Sequence, residues 1–311
     1  MKQIPRYKLL IILSFFAIYV IWGSTYLLNK IAVSEIAPLL LAAYRFISAG
    51  LLVIIIALIL KLNLKISKKQ MLNSAIAGFL FLTYGNGIFV WALKYVDSGF
   101  AALEAATQPL FVILLMRILY GVKMAVKSIL GVFLGILGMF LLVHQDGLDL
   151  NSHSIIGMLM ILSAVLSWSY GSIFVSKADL PSNFFVSTAY QMIFGGLMLF
   201  ILSFGLNETW TTPEFWSYKV QTAMVLLVIF GSIVAFTAFN YLLKVVSTEK
   251  VSTSAYVNPV IALILGWYFL NETITLQSIV AAIVLLLGVY FINSRKATIP
   301  KKIKLVKRPK Y

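Results

Sequence analysis

Cysteine is absent from the 311 residues, which excludes a disulfide scaffold, a thiolate zinc cluster and thiol chemistry. Charge is scarce as well: 11% of the residues are charged, where an ordinary soluble domain carries about a quarter. Together with 61% hydrophobic residues and a mean hydropathy of +0.98, that figure excludes a soluble globule. Acids are the scarcest charges, 10 Asp and Glu against 25 Lys and Arg, for a formal net charge of +15. The only two histidines, His144 and His153, flank a loop with Asp146 and Asp149, and no nucleophile is set against them. They read as solvated loop residues rather than a metal site, which needs converging ligands and a fixed second shell. No phosphate-cradling glycine loop or nucleotide-hydrolysis motif is present, so no cofactor and no enzymatic activity are expected, and work would be driven by a gradient.

What the chain has in abundance is apolar runs. A helix needs about 20 mostly apolar residues to cross the hydrocarbon, and ten stretches qualify: 9–28, 38–60, 72–93, 99–120, 126–143, 155–175, 183–204, 222–243, 251–270 and 275–292. No connection between them is long enough for a soluble domain. Lys2, Arg6 and Lys8 precede the first run as in a secretory signal. That run is long, ends in Trp22 and Tyr26 without a small-x-small site, and is followed at once by a second, so no cleavage is expected.

With ten spans, the tails and alternate loops share one side of the membrane. Lys and Arg concentrate there; the other side has only Lys30, Lys94 and Lys219, and Arg45 lies inside a span. The bias predicts a multi-pass protein of the cytoplasmic membrane with both termini cytoplasmic. Most acids, including Glu35, Asp97, Glu208 and Glu272, fall on the sparsely basic side, so the positive balance is a topology signal and no nucleic-acid partner is implied. The basic tail, 294–311, is matched to anionic lipid of the inner leaflet; nothing in the chain sets an oligomeric state.

The chain also matches itself. Residues 43–51 align with 189–197 at an offset of 146, which places Trp22 on Trp168; further on the offset becomes 150 and pairs Pro109 with Pro259, Ser128 with Ser278 and Gly138 with Gly288. Each half holds five spans, an odd number, so the second copy enters from the opposite face. The predicted fold is therefore an all-α integral membrane protein of ten transmembrane helices in two inverted five-helix repeats, 1–146 and 147–293. That is the plan of secondary transporters, in which exchanging the conformations of the halves gives alternating access.

Several segments carry a family resemblance: Trp22-Gly23-Ser24-Thr25 with Asn29-Lys30, Ala43-Tyr44-Arg45-Phe46, and Asn258-Pro259 followed by Leu270-Asn271-Glu272-Thr273-Ile274-Thr275. Taken together over nearly the whole chain, they resemble the EamA family of the drug/metabolite transporter superfamily. The resemblance implies ten helices, a central cavity lined mainly by helices 1, 3, 4, 6, 8 and 9, and export of amino acids or other small metabolites. One departure stands out: the family's Gly-Glu pair after the fourth span is here Gly121-Val122, with Val122 opposite Glu272.

Within the spans, Glu104 is the only carboxylate, and intramembrane ionisable residues are costly unless they face protein or water. Gln108 lies one turn on, and the repeat carries Ser254 and Asn258 at the matching positions. Glu104 is thus a candidate for proton coupling. It is equally a candidate partner for Arg45, since both lie about 8–10 Å from the starts of their helices at 1.5 Å per residue; on that reading Arg45 is structural. Asn86 and Asn240, with Thr25 and Tyr84, and the repeated pair Trp22 and Trp168, complete the candidate substrate-binding set. Pro109 and Pro259 are expected to break their helices at matching places, and Gly131, Gly135 and Gly138 to allow close helix packing within the chain. Multidrug efflux, or a membrane scaffold or enzyme without transport, remain the alternatives.

Overall fold

The computed structural model describes residues 6–121, 126–143, 152–246, 248–252, 254 and 257–293. Every regular element among these is helical, the outcome expected when apolar backbone must satisfy its own hydrogen bonds. The principal helices are α1 (Tyr7–Ala32), α2 (Pro38–Ile59), α3 (Lys68–Ala92), α4 (Ser98–Tyr120), α5 (Val126–Val143), α6 (Ser152–Lys177), α7 (Phe184–Gly205), α8 (Tyr218–Val245), α9 (Asn258–Leu270) and α10 (Leu276–Asn293). Seven of them, α1 to α4 and α6 to α8, are long and apolar enough to cross a membrane; α5, α9 and α10 supply shorter apolar stretches. The fold is that of an all-helical integral membrane protein. The basic tail, His144, Asp146, Asp149, Val122 and Tyr256 lie outside the described residues.

Two helices are broken beside proline. In α4, Ser98–Ala105 gives way to a turn before Gln108–Tyr120 resumes with Pro109 in its first turn. The stretch expected as one helix over 251–270 is instead a four-residue helix, Thr248–Val251, followed by α9 with Pro259 in its first turn. Proline has no N–H to give the preceding turn, and the first turn of a helix is where none is required. Thr107 covers the break in α4 by donating its hydroxyl to Glu104 O at 2.7 Å.

Element boundaries repeat at the offsets found in the sequence. The 22-residue helices α2 and α7 begin at Pro38 and Phe184, and the 18-residue helices α5 and α10 at Val126 and Leu276. The 13-residue helices that follow the two breaks end in left-handed residues, Gly121 at φ 63° and Asn271 at φ 54°. Eight-residue π-helical stretches, Phe79–Asn86 and Leu227–Val234, occupy the middles of α3 and α8. Repeat-related helices also pack on each other, α2 on α7 and α5 on α10. The glycine stripe of α5 serves the second contact: a Cβ on Gly288 would lie 2.8 Å from Gly131 O and 2.9 Å from Gly135 N.

Hydrogen bonds tie the connections together at each end of the bundle. At one end, the Glu208 carboxylate accepts from Leu39 N and Leu40 N, Glu272 from Ser98 and Gly99, and Glu35 from Ser217 N at 2.8 Å. Lys30 Nζ donates there to Leu93 O and Val96 O, both at 2.6 Å. At the other end, Gln70 donates to Asp179, Tyr190 to Leu64 O, and Lys244 to Pro181 O.

Candidate substrate cavity

Between the broken helices lies a cavity of about 120 Å³. An apolar cavity of about 150 Å³ takes a benzene molecule, so the space suits a solute of that order. Its wall is built by Trp22, Thr25, Tyr26 and Asn29 of α1, Arg45 and Phe46 of α2, and Gly85, Asn86 and Phe89 of α3. Ala105 and Gln108 of α4, Ala164 and Trp168 of α6, Gly231 and Phe236 of α8, and Ser254, Asn258 and Pro259 close it.

Local backbone geometry sets these side chains. A π-helical turn at Ala17–Ile21 in α1 releases carbonyls, and Asn258 turns its amide nitrogen to them, to Tyr19 O at 2.8 Å and Ile18 O at 3.1 Å. In α8 the π-helical stretch exposes Gly231 O, which accepts from Trp22 Nε1 at 3.2 Å. Both tryptophans are fixed further by rings: Trp22 and Trp168 meet edge to face at 5.7 Å, and Phe239 lies 4.9 Å from Trp22 and Phe81 4.9 Å from Trp168. Phe81 and Phe239 sit beyond the cavity along α3 and α8, toward the end that carries Lys68 and Lys244, so the aromatic cluster floors the cavity on that side. On the opposite side Tyr26 and Phe89 meet edge to face at 5.4 Å.

Of the residues singled out in the sequence, Trp22, Thr25, Asn86, Gln108, Trp168, Ser254 and Asn258 share this wall, and so do Arg45 and Pro259. Tyr84 lies away from it: the side chain is 37% exposed and packs on Phe79. Asn240 is buried elsewhere and donates to Phe236 O at 3.2 Å, one turn back on its own helix. Glu104 is fully buried and outside the wall, with neither carboxylate oxygen hydrogen-bonded; Pro109 is buried beside it in sequence. The anticipated pairing of Arg45 with Glu104 is not formed, because Arg45 bonds to Ser232 and Asn29 instead. Asn29 and Tyr26 went unselected in the sequence. Asn29 follows Thr25 by four residues and Trp22 by seven, a spacing that puts all three on one helix face.

Outside the spans, Glu35 has its carboxyl held below the ordinary range by the Ser217 backbone N–H and hydroxyl. Asp97, which makes no cap hydrogen bond, is pushed up by desolvation and then by Glu272, with Lys30 opposing. Among the described residues no three metal-binding side chains cluster, and His153 stacks on Tyr95.

The profile of the EamA-like transporter family matches residues 9–144 and again 155–294. The chain belongs to the EamA-like transporter family. It is a membrane transporter by that membership, and its relatives carry matching names. It is 35% identical over 292 residues to the uncharacterized inner membrane transporter YedA of Escherichia coli (strain K12), covering 91% of this chain and 92% of that one. With the uncharacterized transporter YoaV of Bacillus subtilis (strain 168) it shares 25% identity over 91% of this chain and 96% of that one. A crystal structure superposes with a TM-score of 0.68 at 19% identity, covering 91% of this transporter and 96% of that chain, which shows a common fold.

Proposed function

We propose that the protein is a secondary active transporter of ten membrane-spanning helices, two inverted repeats over 1–146 and 147–293, which exports small metabolites such as amino acids by alternating access. On this reading both termini are cytoplasmic and the 294–311 tail rests on anionic lipid. The observation that carries it is the cavity lying where α4 and α9 break at repeat-related prolines. Discontinuous helices meeting near the middle of the membrane are where transporters of inverted-repeat plan hold their solutes. The double match to the family profile supports the same division of the chain. A cavity of about 120 Å³ favours small solutes over the bulky ones of multidrug efflux.

Glu104 is the proposed proton carrier. A buried carboxylate whose two oxygens have no hydrogen-bond partner is costly in its charged form. Such a group keeps a proton while it is sealed and releases it when a conformational change admits water. The test is counterflow with purified protein in liposomes, using pooled amino acids and pooled small amphipathic cations at two pH values, for the wild type and Glu104→Gln. Saturable exchange is expected in the wild type, with proton-driven accumulation lost in Glu104→Gln while exchange persists. Well-folded protein that exchanges no pool overturns the transport cycle, and a fully coupled Glu104→Gln overturns the proton role.

A further inference from the structure

We infer that Arg45 is an anion receptor in the cavity wall and that the solute carried is a small carboxylate; this rests on the transport reading above. Arg45 is only 3% exposed, yet it lines the cavity. Its guanidinium is held by neutral groups alone: Nε donates to Ser232 Oγ at 2.7 Å and Nη1 to Asn29 Oδ1 at 3.3 Å, and the group lies 4.8 Å from the centre of the Phe46 ring. No carboxylate among the described residues pairs with it, and Glu104, the one acid inside the spans, is turned elsewhere with both oxygens unbonded.

An arginine stays charged in any protein environment, and a buried cation without a counter-charge is among the costliest arrangements a fold can keep. Nη2 is unengaged and Nη1 keeps a second N–H, so the two terminal nitrogens present a planar end-on fork whose geometry matches a carboxylate. Room for that fork is provided by Gly231: a Cβ there would lie 3.1 Å from Arg45 Nη2 and 2.8 Å from Thr25 Cγ2. The matching position in the second half is Gln191, which is fully buried, bonds to Ser187 Oγ at 3.1 Å and stands apart from the cavity. The positive site is therefore present in one half only, and it would fix one end of an asymmetric solute.

Elsewhere in the wall, Asn86 Oδ1 is buried with no hydrogen-bond partner. This acceptor suits an ammonium or another N–H, and Trp22, Trp168 and Phe236 suit an apolar remainder. A carboxylate on Arg45, a donor on Asn86 and a short apolar body describe a neutral α-amino acid; a short-chain monocarboxylate fills the first and third positions. A free amine or a cation is rejected by the charge of Arg45.

The test uses four pools matched in size: neutral α-amino acids, short-chain monocarboxylates, α-amino-acid amides and alkylamines. Each is measured for counterflow in liposomes and for ligand-induced thermal stabilisation in detergent, with the wild type, Arg45→Gln and Arg45→Lys. The expected result is exchange and stabilisation by the acids only, with affinity falling at least tenfold in Arg45→Gln and less in Arg45→Lys. Amides or amines handled as well as acids overturn the inference and leave the transport reading standing, as does a monodisperse Arg45→Gln with wild-type affinity for acids. Acids that bind without any pool being exchanged leave the inference and overturn transport. Absence of both binding and exchange overturns both. Should Arg45→Gln not fold, the wild-type selectivity between acids and amides and the Arg45→Lys affinity decide.

Discussion

Glu272 closes over Ser98 at the start of α4: one carboxylate oxygen accepts from both the backbone N–H and the hydroxyl of Ser98, at 2.8 and 2.7 Å, and the other from Gly99 N at 3.0 Å. An anion at a helix N-terminus meets unsatisfied N–H groups and the positive end of the helix dipole. Gly266 makes the approach feasible, since a Cβ there would run into the carboxylate and come within 3.0 Å of Ser98 Oγ.

Glu272→Gln and Gly266→Ala are each expected to lower the thermal unfolding midpoint, at a cost of about 1–3 kcal/mol for hydrogen bonds to a charged group. Because both act on one contact, the double variant should cost clearly less than the sum. Thermal unfolding of the four proteins in one detergent measures this; additive losses would show that Gly266 serves some other contact.

The Glu35 carboxyl is held below its ordinary value, so its bond to Ser217 stabilises the fold above the ordinary glutamate range and that stabilisation is lost as pH falls through the lowered value. The wild type should lose unfolding temperature on acidification more steeply than Glu35→Gln. Midpoints measured from neutral pH down to the limit of solubility give the comparison, and parallel curves would remove the linkage.

Trp168 contributes both wall and floor of the cavity, edge to face with Trp22 and packed on Phe81. Trp168→Ala should cost about 3 kcal/mol in stability and shift selectivity toward larger solutes. Competition between small and large members of one solute series reads this out; unchanged size preference would place the size limit elsewhere.

Ser232 orients Arg45 without touching the cavity wall itself. Ser232→Ala should raise the apparent KM for acids several-fold while leaving maximal exchange near wild type, and should lower the unfolding temperature by the loss of a buried hydrogen bond to a charged group. A fall in maximal exchange at constant KM would contradict a positioning role.

Much of the scaffold was legible in the chain, because apolar length and proline act locally: 38–60 and 183–204 were placed within a residue or two of α2 and α7, and Pro109 and Pro259 mark the two breaks. The direction of individual side chains was less so. Tyr84 and Asn86 both sit in a π-helical stretch, whose extra residue per turn shifts the face that a 3.6-residue period assigns. Asn240 satisfies itself on its own helix, an arrangement that spacing does not reveal. Arg45 and Glu104 sit at matching depths along their helices, and depth alone paired them; rotation about the helix axis, set by packing, keeps them apart. In a membrane the outer face of a helix is as apolar as the inner one, so the polar stripe that betrays orientation in a soluble protein is missing.

The three carboxylate caps cross between the halves: Glu35 of the first reaches α8, while Glu208 and Glu272 of the second reach α2 and α4. The residues that repeat offsets place opposite them are Pro181, Leu62 and Val122, none of which carries a charge. Three carboxylates thus stitch this margin, against one at the other, where Asp179 accepts from Gln70. In the proposed alternating-access cycle the two strokes are then unequal: opening this margin strips carboxylates from three helix ends, whereas opening the other breaks the single Gln70–Asp179 carboxylate contact. On that proposed cycle the carrier rests with this margin shut, and the time it spends there grows with the strength of those three seals.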